Sequence, residues 1–230
     1  MAGTLFSCYT GSPNGYPAYS QPNNQNDLIE KSLFNAKDRT ISEEDIQRLL
    51  DGEIKLPDSA RIAIYNFGTT SLNRYYSGYR YNEEFLKLKQ IYIDKLTSTI
   101  DQSARVKKVV LMPNIMTDQN PTLTNLRESA VRLQADLLII FSIKSDIYYK
   151  YKVFKKDQAK AFATIETLLF DIRTGIVPYS SIVTKEQLVS KEESDADIKE
   201  TQKRAENEAI LSALSASGDQ LVKFLNEQNE

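Results

Sequence analysis

Histidine is absent from the 230-residue chain. Without it there can be no Ser-His-Asp triad, Cys-His pair, His-ligated zinc site or imidazole proton shuttle. Cysteine occurs once, at Cys8, which excludes an intramolecular disulfide and any CxxC site. Glycine is scarce, with 8 residues, and neither the GxxxxGK phosphate loop nor the GxGxxG dinucleotide turn occurs. An excess of one charge is missing too. Lys+Arg total 29 and Asp+Glu 31, a net charge of −2, whereas a dedicated nucleic-acid binder carries a basic excess or a basic face. No apolar run reaches the ~18–20 residues that a membrane-spanning helix needs. Catalytic, cofactor-binding and metal-ligating residues are therefore not expected, and neither is a nucleic-acid partner.

Three regions follow from composition. Residues 1–7 look like the remnant of a signal peptide. Residues 8–40 open with a stretch of Pro, Gly, Ser, Asn, Gln and Tyr that is uncharged up to Asn26. It cannot bury enough apolar surface to offset its ordering entropy, and it reads as a disordered tether. Residues 41–230 hold the periodic segments of a single α/β domain.

The domain begins with a small docking helix. Ser42 is its N-cap, Glu43, Glu44 and Asp45 complement the positive end of the dipole, Ile41 and Ile46 have staple spacing, and Gly52 ends it. RIAIYNF (61–67) is a strand. Asn82 caps a helix to about Gln102, with Phe85, Leu88, Tyr92, Leu96 and Ile100 at helical spacing. RVKKVVLM (105–112) is the second strand. Asn120-Pro121 opens the next helix, marked by Leu123, Leu126, Ala130 and Leu133. LLIIFSI (137–143) is a continuous apolar run, as expected of a central strand covered on both faces. Strands at 147–154, 162–172 and 176–183 follow, the last two joined by Asp171-Ile172-Arg173-Thr174-Gly175 as a hairpin turn. The charged KEESDADIKE leads into a long helix with Ala205, Ala209, Ala213 and Ala216 on one side. The order is β-α-β-α-β, an antiparallel meander, then a C-terminal helix: one mixed sheet with helices on both faces.

Few residues suggest chemistry. The adjacent carboxylates Glu43/Glu44, Glu83/Glu84 and Glu192/Glu193 lie at or near helix starts, where they favour the dipole. Neighbouring helix positions diverge by about 100°, so no such pair can act on one substrate. Cys8 follows Leu5-Phe6-Ser7, with an aliphatic at −3 and a small residue at −1, which looks like a bacterial lipoprotein signal; lipidation is expected at Cys8. The loop Arg74-Tyr75-Tyr76-Ser77-Gly78-Tyr79-Arg80-Tyr81 has a protein-recognition composition, since rigid amphipathic rings give contact area at low entropy cost. Arg74, Tyr75, Tyr76, Tyr79, Arg80 and Tyr81 are the candidate partner-binding residues. Lys144, Lys150, Lys152, Lys155, Lys156 and Lys160 fit the protection of an edge strand from unwanted pairing.

RIAIYNF, RVKKVVLMP, the run from Ala130 to Ile139, the turn from Leu169 to Gly175 and the Ala-rich final helix carry a family likeness. They resemble the periplasmic domain shared by curli-secretion-channel lipoproteins, penicillin-binding-protein activator lipoproteins and TolB amino-terminal domains, over about residues 60–216. That resemblance implies a non-enzymatic envelope component that binds protein partners or assembles with itself. The loop after the first strand departs from the curli-channel pattern, and long alternating hairpins for a membrane barrel are not seen.

The expectation is a non-catalytic accessory protein, lipid-anchored through Cys8, on the periplasmic face of the outer membrane and binding another envelope protein. A homo-oligomeric secretion or assembly ring is the alternative. A carboxylate-based glycan-acting enzyme is the third reading; it would need two carboxylates about 5–10 Å apart in a cleft.

Overall fold

The computed structural model describes residues 33, 42–69, 83–150 and 157–227, within one compact unit spanning Ser32–Glu230. Its strands are β1 (Ala60–Thr69), β2 (Val106–Leu111), β3 (Leu137–Lys150), β4 (Gln158–Asp171) and β5 (Tyr179–Ser190). Its helices are α1 (Glu43–Leu50), α2 (Glu83–Ile100), α3 (Leu123–Arg132) and α4 (Ile198–Glu227). The strands form one five-stranded sheet in the order β2-β1-β3-β4-β5. β1 pairs parallel with β2 and β3, and β3-β4-β5 is antiparallel. The expected mixed α/β domain is thus the observed one, with Leu137–Ile143 in the middle strand.

Two cores sit on the two faces. On one, Ile62, Ile64, Leu137, Ile139, Ile165 and Leu169 meet Tyr92, Leu96 and Ile100 of α2 and Ala205, Ala209, Ala213 and Leu214 of α4. Alanines at helical spacing let α4 lie close to β4 and β5; of the predicted set only Ala216 is not fully buried. The same close approach brings α4 onto α2 at Gly218, where an added Cβ would stand 2.8 Å from Thr99 Cγ2. Inside this layer Thr167 and Ser217 satisfy each other at 2.8 Å. On the other face Leu126 and Ala130 of α3 cover Ala63, Tyr65, Leu138, Ile140 and Phe170. That helix is short, and it covers the parallel half of the sheet and the ends of β3 and β4 nearest the Asp171 turn.

Several element boundaries differ from the sequence reading. The segments expected as separate strands at 137–143 and 147–154 are one strand, β3, over its described length. β5 runs to Ser190 rather than ending near Val183 and begins after Pro178. The N-cap of α3 is Thr122, not Asn120, with a reciprocal capping box to Asn125. α1 is capped by Ser42 as expected, but it docks shallowly: none of its residues is fully buried, Leu49 is half-buried, and Gly52 just beyond it lies against Ile176. Leu50 is 76% exposed. Gly175 has φ +82°, the left-handed backbone the hairpin turn required. No helix of the described residues is long and apolar enough to cross a membrane.

Candidate interaction face

The residues predicted for function fall largely outside the description. Cys8 and Arg74, Tyr75, Tyr76, Tyr79, Arg80 and Tyr81 all lie outside the described residues, as do Lys152, Lys155 and Lys156. The structure does place the ends between which the Tyr/Arg loop runs. Thr69 at the end of β1 is in register with Ile143 of β3, and Glu83 starts α2.

Where β1 ends, the cover that the described residues give the sheet on the α3 side also ends. From Ser142 onward the even-numbered residues of β3, β4 and β5 form an open face, while Ala159, Ala161, Ala163, Ile165 and Val189 point into the α4 core. The alternation in β4 holds from Gln158 to Leu169, each buried residue up to Thr167 followed by a half-buried one; Leu169 and Phe170 are then both buried, where the α3 side is covered. An antiparallel sheet tolerates this arrangement because one wetted face costs it nothing in backbone pairing.

The open face combines apolar side chains with ion pairs that neutralise one another. Ile182 is 74% exposed, Leu188 60% and Tyr148 57%. Tyr148 and Phe162 stack across the strands, with centroids 5.2 Å apart and planes tilted by 56°. Lys144 Nζ donates to Glu166 Oε1 at 2.9 Å, and Ser142 Oγ donates to the other carboxylate oxygen at 3.0 Å. Lys160 and Glu186 pair at 2.6 Å, and the hydroxyls of Thr164 and Thr184 meet at 2.8 Å. Burial pushes the Glu166 carboxyl up, but the hydrogen bonds from Lys144 and Ser142 outweigh it and hold it below the usual carboxylate value. Lys144 and Lys160 therefore belong to internal strands and to cross-strand pairs. They do not guard an edge, as the sequence reading had it; the edges are β2 and β5.

The other perturbed carboxylates are tied into the fold. Asp136 receives the Arg61 side chain through Nε at 3.0 Å and Nη2 at 2.9 Å, and also the Arg61 backbone N–H at 3.0 Å. Those bonds hold its carboxyl below the ordinary range against the upward pull of burial. They lock the start of β3 to the start of β1. Asp195 accepts from Arg204 Nη2 at 2.8 Å, the Glu192 backbone N–H at 2.8 Å and Thr201 Oγ1 at 2.9 Å. Its carboxyl is held down to about 2, first by the Arg204 bond and then by the Glu192 amide. Sequence reasoning assigned neither residue. Asp136 lay inside the quoted Ala130 to Ile139 run, where an acid leading an apolar strand was the available signal. Among the described residues no group of three or more Cys, Asp or Glu could hold a metal ion.

Scanned against protein-family models the chain matches none, and no curated protein matches it. Similar solved structures exist. Lipoprotein GNA1162 from Neisseria meningitidis shares 8% identity at a TM-score of 0.35, over 71% of this chain and 99% of that one. The hypothetical protein CT253 from Chlamydia trachomatis shares 14% at 0.39, over 73% and 93%. PelC from Paraburkholderia phytofirmans, a dodecamer, shares 14% at 0.36, over 72% and 89%.

Proposed function

We propose that this protein is a non-catalytic accessory component of the bacterial envelope, anchored by a lipid on Cys8, that binds another envelope protein. The observation that carries the binding part is the open face of β3-β4-β5. Exposed Ile182, Leu188 and Tyr148 stand there between ion pairs already neutralised within the face. Exposed apolar side chains rimmed by polar ones mark an interaction surface, and self-neutralised charges lower the desolvation penalty of covering it. The lipoprotein-like sequence around Cys8 and the resemblance to the TolB amino-terminal and curli-channel lipoprotein domains support the envelope setting. The Tyr/Arg loop extends the same reading, since it follows Thr69, whose partner Ile143 borders the open face. The perturbed carboxylates favour a structural role over catalysis, because each is engaged by an arginine or lysine of the fold.

The test is capture from an envelope extract with the full chain as bait. Ile182→Lys and Leu188→Lys, both on exposed positions, should leave the thermal midpoint within about 2 °C, as surface changes of under ~0.5 kcal/mol do. They should reduce recovery of the wild-type partner at least tenfold. Unchanged recovery with both substitutions would remove the open face from the reading.

A self-assembling ring remains the second reading, on the observation that β5 is an edge strand of 12 residues. Exposed edges of that length are templates for pairing with another chain. Light scattering at micromolar concentration separates the two.

A further inference from the structure

We propose that the cavity between α1, α3 and the β4–β5 turn binds an oxyanion of the phosphate class. The cavity measures about 360 Å³, and Arg48 of α1, Arg127 of α3 and Arg173 of the turn all line it, with Glu53, Thr174 and Ile176 among the other walls. Three elements far apart in sequence thus each contribute an arginine to the lining of one space.

The bonding of these side chains leaves the site charged. Arg127 donates through Nε to the Ile172 carbonyl at 2.6 Å and through Nη2 to the Arg173 carbonyl at 2.8 Å. Both acceptors are neutral, so the turn fixes the guanidinium without cancelling its charge. Its Nη1 lies beside Gly175, where an added Cβ would be 4.0 Å away. Among the described residues the Arg173 guanidinium makes no hydrogen bond or ion pair, although its charge acts on Asp136 from a distance. Arg48 alone has a carboxylate partner, Asp45 at 2.9 Å, on the exposed side of α1. Glu53, the acidic wall, is turned onto Lys55 at 2.8 Å. The Thr174 hydroxyl is already spent on Asp171 at 2.8 Å. The lining therefore sets three arginines against one carboxylate, Glu53, whose Oε2 is held by Lys55, and the space is positive on balance.

Guanidinium groups match oxyanions bidentately and hold their charge at any working pH. Because they enter from separate elements, the ligand must present acceptor oxygens in several directions. A tetrahedral phosphate or phosphomonoester does so, whereas a carboxylate offers one edge. Such a group could arrive free or as a lipid headgroup. The proposal is independent of the partner-binding reading.

The experiment titrates inorganic phosphate into the full chain carrying Cys8→Ser, by calorimetry and by the arginine Nε–H resonances. Saturable binding is expected above a sodium chloride control of equal ionic strength. Arg173→Gln should weaken it at least tenfold while moving the thermal midpoint by no more than about 2 °C, because that side chain makes no hydrogen bond or ion pair among the described residues and acts on Asp136 only through its charge. Lys223→Gln, on the exposed face of α4, should leave it unchanged. A response equal to that of chloride, or full affinity in Arg173→Gln, would overturn the site. Vesicles distinguish the source. Co-sedimentation with phosphatidic acid but not phosphatidylcholine, competed by free phosphate, assigns the cavity to a headgroup; phosphate binding without co-sedimentation assigns it to the free anion.

Discussion

Asp195 stands where β5 gives way to α4, with its side chain 6% exposed and Arg204 beside it. Arg204 also reaches Glu192 at 2.9 Å and the Ser190 carbonyl at 3.0 Å, so one ion pair gathers the whole connection. The sign of its acid response follows from its lowered pKa. The folded carboxyl titrates at about 2 against an ordinary 3.8, so the folded state binds its proton less readily than the unfolded chain. Its stabilising contribution is complete above pH ~4 and fades as the pH falls toward ~2. Asp195→Asn should lower the thermal midpoint at pH 7 and flatten the loss of stability between pH 4 and 2. Melting curves across that range check it; an acid limb as steep as that of the wild type would refute it. None of this was legible in KEESDADIKE, where Asp195 is one acid among several. Burial was decided by Thr201 and Arg204, which come round on the first turns of a helix that the linear string does not orient.

Helix α4 shows what a single element contributes. Its 30 residues carry small side chains where it meets both β4 and α2, and Gly218 marks the tightest crossing. Alanine would favour the helix by about 1 kcal/mol over glycine, yet its methyl would fall 2.8 Å from Thr99 Cγ2 and 3.0 Å from Thr99 Cβ. Overpacking of that kind costs about 1–3 kcal/mol, so steric loss outweighs propensity. Gly218→Ala is expected to destabilise. In a Thr99→Ser background, which deletes the clashing methyl and keeps the hydroxyl that donates to the Lys95 carbonyl, the same change should cost clearly less. Denaturant unfolding of the four proteins in this cycle measures the coupling. The alanine spacing on α4 was visible in the sequence; Gly218 was not singled out, because only the position of α2 gives it a purpose. β3 teaches the converse. Ser142, Lys144 and Asp146 interrupt its apolar pattern, which suggested a break. They are the outward side of a continuing strand whose inward side is Ile143, Ser145 and Ile147.

At the scale of the whole molecule, the lipidation proposed at Cys8 would set where the domain works. From Tyr9 to Asn26 the chain spans at most ~60 Å and on average ~20–25 Å if it is an unstructured tether. A lipid on Cys8 would then keep the domain near its bilayer. The full-length protein should partition with membranes on fractionation and Cys8→Ser should be released; equal partitioning of the two would refute anchoring. The same tether length permits, without requiring, a headgroup in the arginine cavity, which is why the vesicle measurement uses the Cys8→Ser chain.

Hydrophobic periodicity and turn chemistry determined a good deal from the sequence alone. The apolar run from Leu137 specified the middle strand, since a segment without polar alternation must be covered on both faces. The amphipathic spacing of Tyr92, Leu96 and Ile100 specified a helix buried along one stripe, and Gly175 specified the turn by its backbone freedom. These signals are local, and they survive any arrangement of the parts. The tertiary structure alone decided which polar residues meet: Arg61 with Asp136 across 75 residues, Lys144 with Glu166, and Arg48, Arg127 and Arg173 around one cavity. It also decided that α3 is too short to cover the antiparallel half of the sheet, leaving Ile182 and Leu188 exposed. Pairing and coverage depend on distances between elements, and a linear pattern holds the faces of each element but not the neighbour each face will find.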